Sequence, residues 1–112
     1  MATTGAAPGR LAALNDELRC TGRGGRVVMT AGVAALPDAV RTALLAAVRS
    51  FTAFGPDNDP HGEHDFGAVE VGNVRAFWKI DAYDRDLRFG SPDPADPAVT
   101  VRVLTVMLAE EY

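Results

Sequence analysis

Two histidines, His61 and His64, lie in a nine-residue loop with Asp57, Asp59, Glu63 and Asp65. Imidazole and carboxylate together serve acid–base chemistry, and they ligate divalent zinc, manganese or iron. The known spacings for such sites do not fit. An EF-hand beginning at Asp57 would match at Asp59 and Gly62, but His61 takes the fifth position and Ala68 the twelfth, where a bidentate Glu is needed. His61-Gly-Glu-His64 separates its histidines by three residues, whereas the His-Glu-x-x-His arrangement that aligns two ligands on a helix needs four. Nucleophiles are few. Ser50 sits in a helical segment, Ser91 precedes a proline, and neither lies in Gly-x-Ser-x-Gly. Cys20 ends a helix among arginines and reads as a small packing residue. Thr21-Gly-Arg-Gly-Gly-Arg26 has the glycines of a phosphate loop without the Gly-x-x-x-x-Gly-Lys-Ser/Thr spacing, and a β-branched run follows it, so it reads as a turn.

The elements that position these groups follow from periodicity. Leu11, Leu14 and Leu18 recur on one face of a short helix, with Pro8 in its first turn and Gly22 as its C-cap. Arg26–Thr30 reads as a short buried strand stopped by Gly32. A second helix starts at Pro37-Asp38 and carries Val40, Ala43, Leu44, Ala47, Val48, Phe51 and Phe54 as a core stripe until Gly55-Pro56. Residues 66–71 and 74–83 read as strands joined by Gly72-Asn73, a type II′ hairpin turn. A Pro- and Asp-rich loop spans 84–98. For the last segment the signals conflict. Six of the eight residues 99–106 are β-branched, whereas Asp96-Pro97 and Leu-Ala-Glu-Glu favour a helix, which is the expectation adopted.

A two-residue turn at Gly72-Asn73 sets the hairpin register. One face then carries Val69, Val71, Val74, Ala76, Trp78 and Ile80 as core. The other pairs Glu70 with Arg75, Ala68 with Phe77, Phe66 with Lys79 and His64 with Asp81, and Tyr83 continues it. A carboxylate opposite an imidazole orients the ring and fixes its tautomer. His64 with Asp81 is therefore the candidate catalytic pair, and Asp59, Glu63, His64 and Asp81 are the candidate metal set. The competing role is structural, since Asp and Asn in such loops bond their own backbone. That role is the expected one, with no metal and no other cofactor.

At 112 residues and 47% hydrophobic content, the chain suits a single folded domain, 1–112, with residues 1–8 as a flexible lead. No apolar run approaches the ~20 residues of a membrane span. The N-terminus lacks a secretory pattern and Cys20 is the sole cysteine, so a cytoplasmic protein is expected. The net charge of −4 conceals an imbalance: residues 1–50 hold six arginines against three acids, and residues 51–112 hold twelve acids against five bases. The expected fold class is α+β in the order α-β-α-β-β-α, with a small, mostly antiparallel sheet and helices packed on one face.

Leu14-Asn-Asp-Glu-Leu-Arg19, Asn58-Asp-Pro-His-Gly-Glu-His-Asp-Phe-Gly67, Phe77-Trp-Lys-Ile-Asp81 and Ser91-Pro-Asp-Pro-Ala-Asp-Pro97 resemble the motifs of a small bacterial domain family of unknown function. The resemblance runs through nearly the whole chain. It implies an aromatic residue at the position of His61, which leaves His64 the stronger candidate, and it implies no activity or cofactor. It also implies the setting of accessory genes on plasmids and integrative elements.

The expectation is a small, acidic, non-enzymatic binding protein, an accessory or anti-defence factor such as an inhibitor of a CRISPR or restriction complex. It would act through an acidic loop and the hairpin face, with Asp57, Asp59, Glu63, Arg75, Phe77, Lys79, Tyr83, Asp93 and Asp96 as contacts. The partner expected is a protein with a basic surface, with neither nucleic acid nor membrane bound directly, because the acids repel phosphate. The alternative is a metal-assisted hydrolase or transferase centred on His64 and Asp81.

Overall fold

The structure, a computed structural model, describes residues 9–112. The expected flexible lead over residues 1–8 and the placement of Pro8 lie outside the described residues. The chain forms α1 (Arg10–Thr21), β1 (Arg26–Met29), α2 (Ala31–Ala34), α3 (Asp38–Arg49), β2 (Phe66–Val71), β3 (Val74–Tyr83) and β4 (Val101–Leu108). Single 3₁₀ turns stand at Pro97–Val99 and Ala109–Glu111. The four strands make one sheet in the order β1-β4-β3-β2. β1 runs parallel to β4, and the other two pairings are antiparallel. The result is a small mixed α/β domain whose sheet is mixed rather than mostly antiparallel.

The expected C-terminal helix is instead strand β4, which corrects the element order. Asp96 does cap a helical start, its carboxylate accepting from the Ala98 N–H at 2.9 Å. That start ends after one turn, because Val99, Thr100, Val101 and Val103 lose side-chain freedom in a helix and pack readily on a pleated surface. Arg102, Leu104 and Val106 alternate inward along β4, and β1 and β3 flank it on either side. Leu-Ala-Glu-Glu yields only the closing 3₁₀ turn.

The core joins Leu18 of α1, Val33 of α2 and Leu44 and Val48 of α3 to Val69, Ala76, Trp78, Ile80, Leu104 and Val106 of the sheet. Trp78 is fully buried at its centre, with Phe51 and Phe54 edge-on to its ring. Gly67 faces it at such close range that a Cβ there would lie 2.5 Å from Trp78 Nε1 and 2.8 Å from Phe51 Cζ. Hence this strand position holds a glycine.

Three local expectations change. The buried stripe of α1 is Ala12, Asn15, Leu18 and Arg19, so of the leucine row only Leu18 is fully buried. β1 is an exposed edge strand rather than a buried one, and Gly32 lies inside α2, whose N-cap is Thr30. Helix α3 stops at Arg49, before Phe51 and Phe54. Its last carbonyls, Val48 and Arg49, accept from the Arg19 guanidinium at 3.1 Å each, so a cation from α1 satisfies the end of α3.

Candidate functional site

The hairpin register is the expected one: Val71 pairs with Val74, Glu70 with Arg75, Ala68 with Phe77 and Phe66 with Lys79. Gly72 takes φ 60° while Asn73 stays outside the left-handed region, as a type II′ turn requires. The ladder's last backbone bond is Ile80 N–H to the Asp65 carbonyl, 2.8 Å. One residue earlier the chain leaves the sheet, because His64 adopts φ 55°. Asp59 holds that turn, its Oδ1 accepting from the backbone N–H groups of Glu63 (3.0 Å) and His64 (3.2 Å). The expected His64–Asp81 pair is therefore absent. Asp81 instead bonds Lys79, two residues away along β3, at 3.0 Å, and this carboxylate raises the Lys79 pKa.

His64 turns toward α1. Its Nδ1–H donates to Asp16, 2.9 Å from Oδ1 and 3.1 Å from Oδ2, because a carboxylate can only accept. Its Nε2 lies 3.6 Å from Asp59 Oδ2, too long for a hydrogen bond. The ring stacks flat on Phe54, with centroids 3.9 Å apart and planes 2° from parallel. Asp16 Oδ1 also accepts from Arg19 at 3.0 Å, and the Arg19 guanidinium stands over both Phe54 (5.4 Å) and Trp78 (5.2 Å).

A second buried polar chain runs alongside. Asn15 donates to the Glu63 carbonyl at 2.9 Å and accepts from Arg102 Nε at 2.6 Å, and Arg102 Nη2 donates to the Pro94 carbonyl. Asn15 and Arg19 are each 3% exposed and Arg102 is 2% exposed. Together these bonds pin the acidic loop and the Pro-rich loop to α1 and β4. Burial pushes the Arg102 pKa down. None of these three residues announces itself in sequence. A polar residue within a helix's buried stripe becomes visible only once the stripe is known.

The candidate carboxylates sort by environment. Asp59 is consumed by its turn, while Asp93 and Asp96 each accept from a backbone N–H two residues on. Asp57 is exposed. Glu63, Asp65 and Asp81 border one groove of about 270 Å³ with Asn15, without His64. Among the described residues no three His, Cys, Asp or Glu side chains are grouped as ligands for one ion.

On the sheet face opposite Trp78, Phe66, Phe77 and Tyr112 form an aromatic cluster, with centroid separations of 5.2–5.9 Å. Arg75 lies over Phe77 at 5.6 Å. Lys79, Asp81 and Tyr83 continue the same face along β3. Tyr112, at the chain end and 74% exposed, is the member that strand periodicity did not reveal.

Fold and site together define a small α/β domain with a braced acidic loop and an uncovered aromatic sheet face. The model of a family described as "Protein of unknown function (DUF3768)" matches residues 29–111, and the chain belongs to this family. No curated protein and no solved structure matches it. Among the described residues no helix is long and apolar enough to cross a membrane.

Proposed function

We propose that this chain is a non-enzymatic binding protein that docks a protein partner through the open face of its sheet. The observation that carries this reading is the Phe66–Phe77–Tyr112 cluster. It stands on the face away from the core that Leu18, Val33, Leu44 and Val48 complete. Tyr112 is exposed and Phe66 and Phe77 are half-buried, and aromatics beside a guanidinium are the usual anchors of protein interfaces. The partner is one with a basic surface, because twelve of the seventeen charged residues in 51–112 are acidic. The paired loop carboxylates argue the same way: Asp59, Asp93 and Asp96 shape loops, leaving the aromatic face as the contact and the acids as its long-range field.

The specific form of the proposal is an accessory factor that modulates a larger basic complex, such as a CRISPR or restriction assembly. Its support is this charge complementarity together with the gene setting that the motif resemblance implies. The test is affinity capture from the native host, comparing wild type with Phe77→Ser/Tyr112→Ser. The expected result is a partner held by wild type, lost by the variant and released by raised salt. A partner that the variant retains equally would show that the open face is not the docking surface.

A further inference from the structure

Thr21-Gly-Arg-Gly-Gly-Arg26, which forms no standard phosphate loop, ends at a groove of about 450 Å³. The groove opens where β1 and β4 begin and the chain leaves β3. Arg26, Arg85 and Arg102 line it together with Gly24 and Gly25, and no Asp or Glu does. For a chain of net charge −4 this is a local inversion of sign. Arg26 and Arg85 are exposed and form no ion pair among the described residues, and residues 1–8 contain no carboxylate to supply one.

The loop backbone also favours an anion. The N–H groups of Gly24 and Gly25 donate to nothing among the described residues. Gly25 cannot carry a side chain, because a Cβ would run into the Arg102 carbonyl oxygen, so bare backbone forms this wall. Guanidinium forks beside free amides on bare glycine backbone match the oxygens of a phosphate group.

We propose that this groove binds the phosphate group of a small ligand, held by Arg26, Arg85 and the Gly24–Gly25 amides. A nucleic acid is the disfavoured occupant, since the acids of residues 51–112 repel an extended polyanion.

The experiment is calorimetric titration of the full chain with pyrophosphate, inorganic phosphate and a single-stranded oligonucleotide, at matched ionic strength against chloride. Saturable pyrophosphate binding is expected, weakened about tenfold or more by Arg26→Ala and by Arg85→Ala, since each removes a charge-assisted contact. Arg49→Ala, an exposed charge at the end of α3, should leave it unchanged. Arg26 and Arg85 are exposed, so these variants keep the core. Heats reproduced by chloride, binding that survives both groove substitutions, or tighter binding of the oligonucleotide than of pyrophosphate would overturn the assignment. None of these outcomes bears on the aromatic face.

Discussion

Asp16 Oδ1 accepts a hydrogen bond from His64 Nδ1 at 2.9 Å, across 48 residues of chain, and the same oxygen accepts from Arg19 at 3.0 Å. One carboxylate on α1 thereby joins the acidic loop to the arginine that closes the end of α3. His64 thus works as a brace between elements, and Asp81, its expected partner, spends its charge on Lys79.

A double-mutant cycle separates these two pairings. Asp16→Asn with His64→Phe should show a coupling of about 0.5–3 kcal/mol in urea unfolding, the range for residues sharing one network. Asp81→Asn combined with His64→Phe should be additive within ~0.5 kcal/mol. Asp81→Asn alone should cost no more than about 1 kcal/mol, since its partner Lys79 is on the surface.

Asn15→Ala removes two bonds at once and leaves Arg102 Nε without its acceptor inside the protein. The loss of stability should be about 2–4 kcal/mol, because a buried guanidinium N–H then goes unpaired. Chemical denaturation monitored by far-UV circular dichroism measures it.

Gly67→Ala places a methyl group against Trp78 and Phe51, two rings packed in the core with little room to yield. Overpacking of this kind costs about 1–3 kcal/mol, so Tm should fall and the Trp78 fluorescence spectrum should shift. The backbone itself is not the obstacle, since Gly67 is absent from the positive-φ positions.

Glu111 accepts from Thr30 Oγ1 at 2.6 Å, from Leu108 N–H at 2.8 Å and from Gly32 N–H at 3.0 Å, clasping the chain end to the start of α2. These bonds, led by the one from Thr30, hold its pKa below the ordinary carboxylate value. A depressed folded-state pKa gives a contribution that is full above the unfolded value and lost as pH falls through the folded one. The stability difference between wild type and Glu111→Gln should therefore be constant near neutrality and shrink in acid. A difference that grows on acidification would contradict the clasp.

The hairpin was legible from residues alone because its signals are local. Gly72 at a two-residue turn and an alternation from Val69 to Ile80 that only Phe77 interrupts specify register and buried face together. The same reasoning misplaced His64, since register continues only while the backbone stays extended. Asp59, five residues earlier, bends the chain out of the sheet. The C-terminal segment shows the opposite balance: its β-branched residues outweighed a genuine helix cap once β1 and β3 stood ready on either side.

By itself the sequence determined the hairpin, its core face and the acidic weight of residues 51–112, for these depend on neighbours in the chain and on simple counting. Tertiary structure alone decided which polar groups meet. Asp16 with His64 and Asn15 with Arg102 are each brought together by helices and strands packing across 48 and 87 residues. No periodicity encodes such meetings, because side-chain pairing over that distance depends on where whole elements come to rest.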